Sequence, residues 1–124
     1  MNPDVQAALE SDRLIDITTT GRQSGEPRRI EIGFHHVGAA LYITGFPGTR
    51  SWYANLRAQP DFTFHLKQSV LADLPARARA VTGEAERREV LTALHARIGG
   101  EASLDQWLAG SPLVEVTLEP GAAA

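Results

Sequence analysis

Two short stretches carry residue types suited to holding an anionic ligand. The first is Gly21-Arg22-Gln23-Ser24-Gly25, with Arg28 three residues beyond it. Two glycines let main-chain amides turn toward a common point, and guanidinium and hydroxyl groups add donors beside them. Fixed N–H groups next to an arginine fork suit a phosphate. The same residues also describe a plain hairpin turn with solvated arginines. The second stretch is Gly45-Phe46-Pro47-Gly48-Thr49-Arg50-Ser51-Trp52-Tyr53-Ala54-Asn55-Leu56. There a loop leads into a helix start, whose first N–H groups have no partners within the helix and favour anions. Trp52, Tyr53 and Asn55 offer flat aromatic surface and amide donors, enough for a planar heterocycle and its polar edge. Trp52 and Leu56, four apart, equally suit a buried helix face, so Trp52 can be core and pocket wall at once.

Other chemistries find less support. His35 and His36 are adjacent on a strand and point to opposite faces, so they cannot share a metal. His65 and His95 stand alone, and neither HxxxH nor HExxH spacing occurs, so no metal site is expected. The chain has no cysteine, which excludes disulfides, thiolate-bound zinc and thiol nucleophiles. A Ser–His–acid triad stays open, but there is no GxSxG elbow, and Ser24 sits in a turn suited to binding rather than attack. The GxGxxG and GxxxxGK[ST] fingerprints are absent. Any reaction must therefore rest on Ser, Thr, Tyr, His, carboxylates or a borrowed cofactor.

The chain that carries these residues has 124 residues and a mass of 13.4 kDa, the size of one domain spanning 1–124. Its net charge of −3 argues against bulk nucleic-acid binding. Between Arg13 and Arg57, however, six arginines face only Asp16, Glu26 and Glu31, a local net of +3 that suits an anionic ligand. No apolar run approaches the roughly 18 residues of a membrane helix. The polar residues 1–10 do not resemble a secretory leader, so a soluble cytoplasmic protein without stable membrane insertion is expected.

The elements that must position the two stretches are mostly strands. Period-two alternation and β-branched residues predict strands at 14–20, 29–35, 41–44, 62–67, 77–81 and 113–118. In 29–35, Ile30, Ile32 and Phe34 share one face. Helices are predicted at 3–10, 51–58, 84–98 and 103–108, with Ser51 and Thr82 as N-caps of the second and third. Residues 1–12 form an N-terminal helix or arm, and 121–124 a disordered tail. Six short strands with helices at the margins predict a mainly-β fold, a six-stranded antiparallel barrel.

The segment Thr18-Thr19-Thr20-Gly21-Arg22-Gln23-Ser24-Gly25-Glu26-Pro27-Arg28 resembles the TTTGRxSGxPR signature of the deazaflavin-dependent nitroreductase family. Trp52-Tyr53-Ala54-Asn55-Leu56 followed by Gln59-Pro60 is similar to its WYxNLxxxP element. The stretches 78–84 and 116–120 match as well, so the resemblance runs from Leu14 to Pro120. It implies a split β-barrel of the FMN-binding superfamily that binds coenzyme F420, with FMN as the alternative. It also implies hydride transfer from the reduced cofactor to a small electron-poor acceptor: a quinone, an enone or a nitro compound. By position, Arg22, Gln23, Ser24 and Arg28 would hold the phosphate end of the cofactor. Thr44, Gly45, Phe46 and Gly48 would line the deazaflavin. Arg50, Trp52, Tyr53 and Asn55 would complete the wall and the phosphate-side contacts.

Tyr53 is the candidate catalytic proton donor, with Tyr42, a histidine and water as alternatives. The family often has lysine where Gln23 stands, and also in the loop where only Arg50 is basic. Fewer cations imply weaker tail binding and suit FMN, which has one phosphate. A non-catalytic cofactor- or ligand-binding protein is the remaining alternative. Exposed strand edges make a homodimer a further expectation.

Overall fold

The computed structural model describes residues 2–119. The disordered tail expected at 121–124 lies outside them. The N-terminal arm is a helix, α1 (Pro3–Ser11), whose start is fixed by the Asn2 side chain accepting from the Asp4 N–H at 2.8 Å. Seven strands follow: β1 (Leu14–Thr20), β2 (Pro27–Gly33), β3 (His35–Val37), β4 (Ala40–Thr44), β5 (Asp61–Leu66), β6 (Ala72–Ala80) and β7 (Leu113–Leu118). They form one sheet in the order β2-β1-β5-β6-β7-β4-β3, antiparallel throughout. Three helices interrupt it: α2 (Ser51–Ala58), α3 (Glu84–Ile98) and α4 (Leu104–Gly110).

The seventh strand arises where one was expected. Alternation continues unbroken from 29 to 35, but the chain leaves its partner at Phe34. Phe34 is 1% exposed, stacks edge-on against Phe64 with centroids 5.3 Å apart, and donates its N–H to the Arg13 carbonyl. Pulling Phe34 into the core ends β2 and throws β3 onto β4, at the opposite edge of the sheet. The two outermost strands are thus consecutive in the chain with one residue between them. The sheet has to curl, and the result is a barrel-like half shell closed over a core. Ile30, expected beside Phe34 on the apolar face, is instead 37% exposed.

Two other boundaries shift. Strand β6 begins at Ala72 rather than 77, because Asp73 and Pro75 masked the alternation that Leu74, Ala76 and Ala78 complete. Neither expected N-cap serves: Arg50 and Gly83 occupy those positions, and no side chain caps α2 or α3. Helix α4 has a reciprocal capping box between Ser103 and Gln106.

The core divides in two. The larger part lies inside the curled sheet, where Ile15, Ile17, Phe34, Ile43 and Phe64 meet Leu9 of α1 and Trp52 and Leu56 of α2. The smaller lies under α3 and α4, where Val90, Leu91, Leu94 and Trp107 cover Tyr42 and Leu113. Helix α2 and the β1–β2 hairpin therefore face each other across one mouth of the shell.

Candidate functional site

The β1–β2 hairpin closes through main-chain bonds. Gly21 N–H donates to the Glu26 carbonyl, and Gly25 N–H to that of Gly21, both at 2.8 Å. Gly21 is required by its neighbours: a Cβ there would lie 2.6 Å from Ser24 Oγ and 3.2 Å from the Glu26 carbonyl oxygen. Ser24 Oγ accepts from the Glu26 N–H at 3.1 Å and from the Arg28 guanidinium at 3.3 Å. The loop is a small folded unit, more than a solvated turn.

Asn55 docks this loop onto α2. Its Oδ1 accepts from the Arg22 main-chain N–H and from the Arg22 guanidinium, both at 3.1 Å. Its Nδ2 donates to Thr19 Oγ1 at 3.1 Å, and the residue is 4% exposed. The amide expected to contact ligand is therefore spent on positioning Arg22. Thr19, which sequence reasoning did not single out, completes the joint.

A cleft of about 370 Å³ opens over it, lined by Arg22, Gln23, Ser24 and Arg28 from the hairpin, Thr19 and Ile30 from its strands, and Ser51, Trp52 and Asn55 from α2. Six sequence-predicted residues meet here. Among the described residues Arg22 and Arg28 make no ion pair, while Arg29, Arg77 and Arg79 are all paired with carboxylates. The cleft is cationic with hydroxyl donors, and Trp52 is both its apolar wall and a core side chain.

The rest of the predicted set lies on the far side of α2. Gly48, Arg50 and Tyr53 line a second cavity of about 550 Å³, with Thr82 and Arg87 before and within α3 and residues 108–112 at the end of α4. Arg50 folds back on its own loop, donating to the carbonyls of Phe46 at 3.1 Å and Thr49 at 3.0 Å. Gly48, at φ +139°, permits this: a Cβ there would lie 2.8 Å from Arg50 Nη1. Tyr53 is half-buried, edge-on to Trp52 with centroids 6.0 Å apart, and carries the Arg57 guanidinium 5.7 Å above its ring.

Phe46 points away, into a third cavity of about 600 Å³ with Pro47, Gly100 and Ala102, edge-on to Trp107 at 5.8 Å. Thr44 is buried, and its hydroxyl donates to the Pro112 carbonyl at 2.6 Å, tying β4 to the end of α4. Gly45 packs against Pro112 and the Arg50 guanidinium. The 44–48 loop is therefore a partition between two cavities rather than one wall.

Sequence reasoning also missed Arg87 and Ser111. Arg87 donates to the carbonyls of Val81, Leu108 and Ser111 at 2.9–3.1 Å, contacts that leave no pattern in sequence. Ser111 is 4% exposed, and its hydroxyl has no partner. The histidines stand elsewhere. His65 lies in a row across three strands, with Thr18 Oγ1 and Asp73 Oδ1 each 2.7 Å from its two ring nitrogens. Strand alternation puts that row on the face opposite Thr19 and the cleft. His36 contacts the Leu9 carbonyl and His95 that of Ala102. Tyr42 is buried beneath α3, where desolvation raises its pKa above the ordinary tyrosine value. Among the described residues no three His, Asp or Glu side chains gather to hold a metal, and no helix is long and apolar enough to cross a membrane.

The match that decides the family covers residues 2–107: F420H(2)-dependent quinone reductase. The chain belongs to this family. Its members are oxidoreductases that use a deazaflavin, and a cationic cleft with an aromatic wall is in keeping with that. Solved structures agree on the shell. A putative pyridoxamine 5'-phosphate oxidase from Listeria innocua superposes with a TM-score of 0.69 at 16% identity, over 94% of this chain and 91% of that one. A heme storage protein from Vibrio cholerae gives 0.70 at 16%, over 97% and 91%. A structure described as an F420 reductase gives 0.60 at 18%, over 93% of both chains. At these identities the likeness is one of fold: the split-barrel scaffold.

Proposed function

We propose that the chain binds a deazaflavin with its phosphate in the Arg22–Arg28 cleft and reduces a small quinone-like acceptor. The observation that carries this reading is the joint at Asn55, which fixes an unpaired arginine and a glycine loop against the start of α2. Such an arrangement suits a phosphorylated cofactor: the donors are aimed before the ligand arrives, and Ser24 holds Arg28 alongside them. When bound, the reduced deazaflavin supplies the hydride. The protein's share is then binding, orientation and exclusion of water. Trp52 offers the flat apolar surface, and the 44–48 partition separates the second cavity from the third.

The acceptor needs a proton after the hydride. Tyr53 is the proposed donor at its hydroxyl, because among Tyr53, Tyr42 and the four histidines it alone shares a cavity with the loop arginine. Titration of the purified protein with oxidised and reduced deazaflavin tests the reading. Saturable binding at tens of micromolar or tighter is expected, and its absence sinks the proposal. FMN in the same titration is the competing ligand, since one phosphate already satisfies Arg22 and Arg28. Preferential FMN binding would transfer the site to a flavin. Binding without turnover over a panel of quinones, enones and nitroaromatics would make the protein a carrier.

A further inference from the structure

Arg87 has no part in the cofactor cleft, yet its charge is not neutralised. Three carbonyls at or just past the end of α4 and that of Val81 receive its terminal nitrogens, at 2.9 to 3.4 Å. Carbonyls hold the plane of a guanidinium but leave it cationic, and Arg87 Nε–H has no acceptor. Arg50, which lines the same second cavity, is held in the same way by the carbonyls of Phe46 and Thr49. No aspartate or glutamate lines that cavity. Two guanidiniums fixed by main chain around one space are preorganised for an oxyanion.

We propose that Arg50 and Arg87 form a second oxyanion site, which recognises a carboxylate or phosphate group. It stands apart from the Arg22–Arg28 cleft, on the other side of the first turn of α2. Ser51, Trp52 and Asn55 line the cleft, whereas Arg50, Tyr53 and Ala54 line the cavity. A molecule with two acidic groups can engage both. The second group comes either from the acidic tail of the same cofactor or from an acid-bearing acceptor.

The first test does not depend on the cofactor reading. In protein carrying Arg22→Gln and Arg28→Gln, which silence the cleft, inorganic phosphate is titrated against the arginine Nε–H resonances by NMR. Saturable shifts of Arg50 and Arg87 together are expected, and Arg50→Gln should weaken phosphate about tenfold. Absence of shifts, or equal shifts with chloride at matched ionic strength, overturns the site. Arg87→Gln also removes a brace of α4, so Arg50→Gln, which spares that brace, carries the argument should it not fold. The source follows from the affinity of wild type and Arg50→Gln for a full-tailed deazaflavin and for a deazaflavin monophosphate. A loss confined to the full-tailed molecule assigns the site to the tail. Unchanged affinity for both, with a raised KM for a carboxylate-bearing acceptor, assigns it to the acceptor. No change in any of these measurements removes the proposal even if the cofactor binds.

Discussion

Asn55 Oδ1 accepts two hydrogen bonds from one residue, Arg22, through its main-chain N–H and its guanidinium, both at 3.1 Å. This single amide joins α2 to the hairpin loop and sets the arginine's direction. It also makes stability and binding separable. Asn55→Ala leaves a buried joint with unmet donors and should cost about 1–3 kcal/mol in urea unfolding. It should also weaken deazaflavin binding, because Arg22 loses its anchor. Asn55→Asp keeps the acceptor oxygen and should preserve more of the binding than of the Thr19 contact. Equal binding by wild type and Asn55→Ala would mean that Arg22 needs no anchoring.

Trp52 serves two purposes, since it belongs to the core and walls the cleft while only 8% exposed. Trp52→Ala should therefore cost about 3–5 kcal/mol of stability and lower cofactor affinity together. Trp52→Leu, which refills part of the core without restoring an aromatic face, should recover stability and leave affinity low. If both variants bind like wild type, the ring is core alone.

How far the sequence alone led is clear from which interactions are local. The β1–β2 hairpin, the start of α2 and the long α3 follow from alternation, turn residues and helical periodicity within short windows. So does the gathering of Arg22, Gln23, Ser24 and Arg28, because one loop holds them. The break at Phe34 does not, since alternation runs straight through it and only a distant partner, Phe64, ends the strand. Arg50 was legible as a cation but not as a loop clamp. Arg87 and Ser111 left no trace, because their partners are carbonyls or none, and a carbonyl has no residue type. The two faces of α2, which divide the predicted residues between cleft and cavity, depend on where α3 and α4 pack.

Gly21 gives a sharp test of whether the loop must keep its shape. A methyl group there would meet Ser24 Oγ at 2.6 Å and the Glu26 carbonyl at 3.2 Å. Ser24 can rotate, but then Arg28 loses its hydroxyl contact. Gly21→Ala should cost about 1–3 kcal/mol in stability, in the range of other overpacked sites. It should also reduce deazaflavin affinity in an equilibrium titration. Unchanged affinity would show that Ser24 and Arg28 do not act as a pair.

His35 supplies a pH dependence with a definite sign. Burial lowers its pKa below the ordinary 6.5, and the nearby charges of Arg97 and Arg13 add to the effect. The unfolded chain therefore takes up the proton first as pH falls. The stability that the neutral imidazole permits is complete above 6.5 and is lost as pH drops from there through the lowered folded value. Unfolding free energy should fall as pH drops below about 6.5, and His35→Gln should flatten that slope. The carboxylates of Asp16, hydrogen-bonded to Lys67 and Arg29, and of Glu86, hydrogen-bonded to Arg79, are lowered as well. Their contribution is lost only at more acidic pH. An identical slope in His35→Gln below about 6.5 would remove His35 as its source.

Arg22 and Arg28 differ in how they are held, and that difference predicts different losses. Both are exposed, but Arg22 is fixed at its backbone and its guanidinium, whereas Arg28 leans on one hydroxyl and the Pro27 carbonyl. A held cation forfeits less side-chain freedom when a phosphate arrives. Arg22→Gln should therefore weaken cofactor binding more than Arg28→Gln, with losses of about 1–3 kcal/mol for the first. Both should be smaller at high salt, because the cleft is open to solvent. Arg22→Gln also gives up a guanidinium bond to Asn55, so it should lower the unfolding free energy slightly, whereas Arg28→Gln should not. Isothermal titration at two ionic strengths, paired with urea unfolding, reads all four effects. A larger affinity loss for Arg28→Gln would place the phosphate nearer the hairpin tip than the α2 joint.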